Sequence, residues 1–578
     1  MAAVVLAGVP APTASAASDT VFAWGGNFVS TPTQAKLPAG VRIKDIDGDH
    51  GLMLTVDGRV LSWPGGNNPT TTLPTEVPFP AGITITAIAA GNRHNLALTS
   101  DGRVLAWGDN DHGQLGNGSK QPSATPVWVQ LPSGAKITGI DAGFRHSLAV
   151  TSDGRVLAWG DNTYGQLGDP SAVDLKESTT PVQVHWAGLL NDFISVAAGN
   201  THSVALTETG WVYAWGRNDW GQTGRGTGGP NGVQYPPVHV LIPPQTRIVK
   251  IDAGANAQHT LAIDAGGRLF GWGFNVTDQV GAGQDSPNNC VSKWEHPTLQ
   301  IDCPRLLALP EGTRVRDVAA GQGYSLAVTT TGQVLSWGAD IDGQLGDPTV
   351  PQRDRPGPVQ IPGNVKIARV TGNGYASYAL PAVPDPTTTV LAAVPVRELS
   401  GNPVTFTATV TCPNATPTGT VTFLEGTAER GTRALKDATA TTARAELVLT
   451  DLALGAHTLT ARYNGDLECE VSTSGPVTVT IVDCGCDNNG GGGGGHGGHK
   501  PGKGKVVSKH MLTVRQAPRI DAKAVGTLRA GQTIAIRCKA TGQPVGGNNR
   551  WYKLARDPRG WVTARYVKNL NSIPRCPS

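Results

Sequence analysis

Over roughly the first two thirds of the chain, apolar positions come in a fixed order. In "AIAAGNRHNLALTSDGRVLAWGDN" (87–110) a short apolar run ends on Gly, a His follows, a second apolar run leads to an Asp-Gly pair, and a third run ends on Trp-Gly. "GIDAGFRHSLAVTSDGRVLAWGDN" (139–162) repeats the unit almost letter for letter. Such short runs, bounded by Gly and Asp, read as strands. Asp101-Gly102 or Asp153-Gly154 between two of them reads as a two-residue hairpin turn, on the expectation that both turn residues take positive φ.

The Trp phrase occurs seven times, at Trp24, Trp63, Trp107, Trp159, Trp215, Trp272 and Trp337. The Gly-His or Gly-Tyr run also occurs seven times, from "DIDGDHGLMLT" (45–55) to "VTGNGYASYALP" (370–381). The two series are offset. "TVFAWGGN" (20–27) has no such run before it, and the seventh run has no Trp phrase after it. A mean spacing of about 52 residues suits a four-stranded blade, and two half units at opposite ends of the array make one hairpin if the array is a ring. Closure also removes the exposed edges of an open stack. The expected fold is all-β: a seven-bladed β-propeller over 18–383, closed by strands from both ends.

Past Pro381 the pattern changes to close-set alternating strands: "NPVTFTATVTC", "TPTGTVTFLEG", "ARAELVLTDLALGAHTLTARYNGD" and "GPVTVTIV". These predict a β-sandwich over 384–483. "DCGCDNNGGGGGGHGGHKPGKGK" (483–505) then breaks all periodicity, and 484–505 is expected to be a flexible Gly-rich linker. A last β module spans 506–578, with "LTVRQAP", "AVGTLRAGQTIAIRC", "WYKL" and "RGWVTARYV".

Composition narrows the class of function. Gly is 75 of 578 residues and charged residues only 16%, a turn-rich and weakly charged chain. A net charge of +3, scattered along the sequence, argues against nucleic acid as a partner. The leader 1–17 has a short apolar stretch and an Ala14-Ser15-Ala16 cleavage-like site but no basic residue in front. It reads as a secretory signal whose true start lies upstream, or else as low-complexity sequence. No later run is long and apolar enough to span a membrane, so no membrane insertion is expected. The eight cysteines fall into local pairs (Cys290 and Cys303, Cys412 and Cys469, Cys484 and Cys486, Cys538 and Cys576), which suggests disulfides in an oxidising compartment without fixing their connectivity.

"VLAWGDNDHGQLGNG" and "VLAWGDNTYGQLGD", each after an "AAG..H.LALT"-type run, resemble repeats of the regulator of chromosome condensation family over roughly 18–383. The resemblance implies a seven-bladed propeller with the same closure. The founding members act as nucleotide exchange factors on a nuclear GTPase, a partner an exported protein would not meet. The "VFAWGGN" start and "YAL" end also resemble secreted propeller-type β-lactamase inhibitors, which implies protein binding through one face. Those inhibitors carry aromatics just before the repeat His, whereas the matching positions here are Arg93, Arg145, Thr201, Gln258 and Gly323. A different surface points to a different target. "PTGTVTF" and "LGAHTLTARYNGD" resemble bacterial immunoglobulin-like repeats, in which Cys412 and Cys469 would lie at one end of the sandwich, within reach of a disulfide. The last module resembles bacterial Src-homology-3-like barrels of the secreted two-cysteine type, matching Cys538 and Cys576. That resemblance implies binding of peptidoglycan or another wall polymer, with Arg515, Trp551, Tyr552, Trp561 and Tyr566 at motif positions, most of the tryptophans being core.

Chain direction puts the Gly-His loops and the "WGxN" loops on one side of the ring. That face is expected to meet an unidentified protein through Arg93, Asp109, Asp111, His112, Phe144, Arg145, Tyr164, Arg217, Trp220, Phe274, Tyr324 and Tyr375, since aromatics and Arg are the usual interface anchors. The insertion after Trp272, in the longest Trp-to-Trp interval of 65 residues, adds Trp294 between Cys290 and Cys303. It is either a functional loop or a surface elaboration.

Several chemical readings are weaker than their structural counterparts. His50, His94, His146, His202 and His259 recur at the repeat period and are expected as packed, hydrogen-bonded residues, because blades spread them around a circle whereas metal ligands must converge. "DIDGDHG" (45–51) opens like a calcium loop, but its twelfth position is Val56, so it is read as a blade strand. Cys484, Cys486, His496 and His499 match no familiar zinc spacing. No nucleophile, metalloprotease or phosphate-loop motif occurs, so neither an enzyme nor a cofactor is expected. The reading is an exported, non-enzymatic interaction protein, expected at the cell wall. The alternatives are an inhibitor of a secreted enzyme such as a β-lactamase and an unrecognised lyase-like propeller enzyme. Acidic residues converging at the channel mouth would favour the enzyme; an Arg-aromatic face would favour binding.

Overall fold

The computed structural model describes residues 18–26, 29–48, 51–63, 68–169, 176–186, 192–226, 232–281, 300–413, 415–482, 502–508, 511–555, 560–570 and 573. The leader 1–17, His50, Trp294, Cys290, Cys484, Cys486, His496, His499 and Cys576 lie outside them. The chain divides into two compact units, Met1–Pro384 and Asp385–Ser578.

Among the described residues, the first unit contains seven four-stranded antiparallel sheets, the seven expected blades. Blade three, made of Ile137–Ala142, His146–Thr151, Val156–Asp161 and Glu177–Gln183, is representative. Its two middle strands are buried on both faces, because each packs against a neighbouring blade on either side. This is why "HSLAVT" and "VLAWGD" carry mostly apolar or small residues between the polar His146 and Asp161 rather than alternating. The turn between them differs from expectation. Only Gly154 has positive φ (+74°), and Thr151 Oγ1 accepts the Arg155 N–H at 3.0 Å while Asp153 takes the Arg155 guanidinium at 2.9 Å. The loop is a three-residue connection with Gly in the left-handed position, which leaves Asp free to brace it by side chain.

Each Trp lies in the wedge between its own blade and the preceding one. Trp159 packs on Leu96, Leu98 and Leu115 of blade two, and Trp215 on Leu148, Val150 and Leu167 of blade three. The "WGxNxxGQLG" loop supplies the polar side of the same joint. Asn110 Oδ1 accepts the Leu115 N–H at 2.9 Å and Gln114 Oε1 the His112 N–H at 3.0 Å, so the loop is held by its own side chains. The Gln114 carbonyl is thereby aimed at the next blade, where it accepts Trp159 Nε1–H at 2.8 Å and the Ser147 hydroxyl at 2.9 Å. Gly116 (φ +63°) lies against the Trp159 ring, where a Cβ would come within 2.8 Å of Nε1. Gln166, Gln222, Gln279 and Gln344 repeat this staple to Trp215, Trp272, Trp337 and Trp24.

The last staple closes the ring. Phe22–Gly25 pairs with Ala376–Pro381 in the register Phe22↔Ala379 to Gly25↔Ala376, and Val29–Gln34 adds outside it. The orphan Trp phrase and the orphan seventh run form one blade, as their offset required.

In the second unit, Thr388–Val394, Val404–Thr411 and Thr442–Leu449 form one sheet, and a second sheet contains Thr420–Glu425, Gly455–Tyr463 and Val477–Val482. Phe406, Val421, Phe423, Leu447 and Leu459 fill the core between them. Cys412 and Cys469 are joined as a disulfide. Cys303 and Cys538 are also oxidised. The barrel begins earlier than the linker reading allowed. Gly502–Val506 pairs with both Thr533–Val545 and Val567–Asn569. Gly504 is required there by packing, since a Cβ would meet Ile536 and Val567 at 2.6 Å, so "GKGK" is a strand despite its linker composition.

Candidate functional site

The hairpin geometry sets the loops of each blade side by side. The N–H of Asp109, Asp161, Arg217, Phe274 and Ala339 donates to the carbonyl of Arg93, Arg145, Thr201, Gln258 and Gly323 respectively, at 2.8–2.9 Å. One variable residue from each Gly-His loop therefore sits beside one from each "WGxN" loop, five times around the same face. The loops beneath are held by the Asn and Gln side chains, and of the variable residues Arg93, Asp109, Arg145, Arg217 and Phe274 reach solvent in part or in full, whereas Asp161, Thr201 and Ala339 are buried.

Across blades three to five these side chains form a ridge. The Arg145 guanidinium lies over the Phe144 ring at 5.3 Å and Arg217 over Tyr164 at 4.9 Å. Trp220 and Phe274 meet edge to face with centroids 5.0 Å apart. Arg217 is also bound by Asp219 at 2.7 Å, and Asp219 holds the guanidinium charged by raising its affinity for protons. Toward blade two the face becomes polar. Arg93, with a 75% exposed side chain, lies 3.4 Å from Asp109, Asp111 is exposed, and His112 lies 3.5 Å from Glu177, which also takes Lys120. Val276 and Ile341 (74% exposed) extend the ridge onto blades five and six. Sequence reasoning missed both, although they occupy the variable position of the loop that Asp111 occupies in blade two.

Tyr324 departs from expectation. It stands where other repeats have His and is fully buried, its ring against Gly321 and Gly372 and its hydroxyl donating to the Ala376 carbonyl at 2.6 Å. It joins blades and does not reach the face, because it is the first residue of the strand Tyr324–Thr329 rather than part of the loop. Tyr375 is half-buried beside the closing strand. The described histidines pack as expected: His94, His146, His202 and His259 are buried with Nε2 on Ser147, Ser203, Thr260 and Ser325 of the next blade at 2.7–3.0 Å.

The central channel does collect carboxylates, from the innermost strands. Asp47, Asp141, Asp252 and Asp317 each accept a backbone N–H from another blade, from Ala90, Ala198, Ala320 and Val370 at 2.6–2.9 Å. Asp45 pairs with Arg369 at 2.6 Å and Asp317 with Lys250. Burial and the mutual repulsion of Asp47, Asp141 and Asp252 raise the proton affinity of Asp141 far above the usual carboxylate range, and burial lifts Asp252 to about 7. These acids tie blades together around the axis. Among the described residues, no group of three or more His, Cys, Asp or Glu side chains is placed to hold a metal ion.

In the barrel, Tyr552 is part of the core and Arg515 and Tyr566 are half-buried. Trp551 and Trp561 are buried on the opposite face of their strands from the core residues Tyr552 and Val562.

Known proteins fit this architecture. A family model for the bacterial Ig-like domain (group 3) matches 391–482 and one for the bacterial SH3 domain matches 511–568. The ultraviolet-B receptor UVR8 of Arabidopsis thaliana is 31% identical over 291 residues, covering 46% of this chain and 64% of the receptor. The E3 ubiquitin-protein ligase HERC2 of Mus musculus is 29% identical over 387 residues, covering 62% of this chain but 8% of the ligase. The chain thus spans less than two thirds of either relative. Among solved structures, Prp20p of Saccharomyces cerevisiae superposes with a TM-score of 0.55 at 24% identity, over 63% of this chain and 92% of that one. Human WBSCR16 superposes with a TM-score of 0.52 at 19% identity, over 63% and 100%. The RCC1-like domain model itself matches residues 66–383, more than half of the chain, and the protein belongs to the RCC1-like domain family.

Proposed function

We propose that this chain is an exported, non-enzymatic binding protein whose propeller face recognises another protein and whose C-terminal barrel holds it to a cell-wall polymer. The ridge of Arg145, Phe144, Tyr164, Arg217, Trp220 and Phe274 carries the reading: rings and guanidinium groups gathered on one side of a scaffold whose loops are held by their own Asn and Gln side chains. The channel acids offer little for catalysis, since each is engaged by backbone or cation. The disulfide-bonded cysteines and the bacterial SH3 domain support an extracellular setting, and no helix among the described residues is long and apolar enough to cross a membrane.

The full-length protein, immobilised and exposed to extracellular proteins, is expected to retain a partner that an Arg145→Ala, Trp220→Ala, Phe274→Ala triple variant loses, with thermal unfolding unchanged. Equal retention by both would remove the face from the reading. Sedimentation of the full chain with purified cell walls tests the anchor; protein left wholly in the supernatant would remove it.

A further inference from the structure

One side of the barrel is covered although it faces away from the barrel's core. On Asn548–Leu554, Tyr552 and Leu554 point into the core, so Trp551 and Lys553 point outward. Lys553 pairs in register with Trp561 and Trp551 with Thr563, which places all four on the same outer face. Trp551 is closed over by the barrel itself, its indole N–H donating to the Gln543 carbonyl at 2.8 Å beside Pro518 and Gly542. Lys553 is not closed over by the barrel alone. It is 0% exposed, and its ammonium donates to Oδ1 of Asn402 in the immunoglobulin-like sandwich while lying 5.2 Å from the centre of the Trp561 ring.

The turn that meets it is built for the contact. Glu398 Oε1 accepts Asn402 Nδ2–H at 2.6 Å and the Leu399 N–H at 2.7 Å, so the Asn402 amide is fixed with its oxygen turned toward Lys553. Burial is the largest effect on the ammonium and lowers Lys553 to about 8, against the through-space attraction of the Glu398 carboxylate and with the repulsion of Arg537. A lysine is almost never fully buried unless paired, because its charge loses water. Here a fixed amide oxygen, a nearby carboxylate and an indole face offset part of that loss. Both partners lie in the compact unit Asp385–Ser578.

We propose that the 398–402 turn of the sandwich is an intramolecular mask over the Lys553–Trp561 face of the barrel, and that an anionic wall polymer gains this face only by displacing the turn. An ammonium beside an indole suits a glycan ring stacked on Trp561 with a carboxylate or phosphate on Lys553. The masking role rests on the wall-binding reading above; the contact itself does not.

Two measurements on the full-length protein test it. The first is amine acetylation followed by peptide mass spectrometry. Lys553 is expected to react at least about tenfold more slowly than the exposed Lys503 and Lys505, and Asn402→Ala should remove most of that protection, about the effect of losing one hydrogen bond to a charged group. Reaction of Lys553 at the rate of Lys503 in the unmodified chain, or protection untouched by Asn402→Ala and Glu398→Gln, overturns the contact. The second is sedimentation with purified peptidoglycan, where Asn402→Ala should bind roughly tenfold more tightly than the parent. Equal binding of both overturns the mask and leaves the anchor standing; no binding by either overturns both.

Discussion

His146 Nε2 lies 3.0 Å from Ser203 Oγ, and that hydroxyl donates its own proton to the Gln166 carbonyl at 2.9 Å. The histidine must therefore be the donor, with its proton on Nε2 and its buried Nδ1 bare. His94 and His259 are in the same position with Ser147 and Ser325. Burial holds His94, His146 and His259 near 3 and His202 near 4. The unfolded chain, with values near 6.5, binds more protons over that window, so these residues make stability fall as pH drops from about 6.5 toward 4. Asp252 acts in the opposite sense. Its folded value of about 7 lies above the unfolded value near 3.9, so its contribution is greatest below about pH 4 and falls as pH rises to 7. Asp252→Asn removes that opposing trend. Denaturant titrations between pH 4 and 7 should show stability rising more steeply with pH in the variant, by at most about 1.4 kcal/mol per unit. Identical slopes would mean that Asp252 titrates like an exposed carboxyl. The periodic histidines were legible as packing residues from their spacing alone. The channel acids were not, because only the ring brings residues 47, 141, 252 and 317 to one axis.

At the scale of the element, the repeated Trp is both a wedge and a hydrogen-bond donor. Trp24 Nε1 donates to the Gln344 carbonyl at 2.9 Å, the same bond that Trp159 makes to Gln114. Trp24→Phe and Trp159→Phe should therefore each lower stability by about 1–2 kcal/mol in equilibrium unfolding, leaving a buried carbonyl short of one donor. A negligible effect of Trp24→Phe beside a clear effect of Trp159→Phe would show that the closing joint is looser than the others. Blade one is built differently: it lacks the "GQLG" loop, and Trp63 turns its indole N–H to Thr72 of its own blade at 2.8 Å. Strand order was readable from apolar runs and turns. The hairpin connection was misjudged because "SDG" suits a two-residue and a three-residue loop alike, and the choice falls to Thr151 and its register. "GKGK" was misjudged because Gly signals freedom in a chain and close approach in a sheet, and only the neighbours Ile536 and Val567 distinguish the two.

For the whole molecule, the ring is closed by two short strands at the start of the first unit, Phe22–Gly25 and Val29–Gln34. Their removal exposes Tyr378, Leu380 and the edge of Ala376–Pro381. Deleting 18–34 should lower the calorimetric transition of the propeller by about 10 °C or more while leaving that of 385–578 in place. An unchanged propeller transition would mean that closure adds no stability. The same closure organises function, since only a ring brings five pairs of loops onto one face.

The sequence alone determined the blade count, the offset that demands a closing strand, and the order of the three domain types. The first two follow from local periodicity, which is written along the chain, and the domain types after the propeller from the motifs by which they resemble known families. The tertiary structure decided which variable residues reach the face, which acids share the axis and which outer surface of the barrel is covered. Those depend on distances between residues far apart in sequence, as between Trp24 and Gln344 or Asn402 and Lys553, and a one-dimensional pattern holds no record of them.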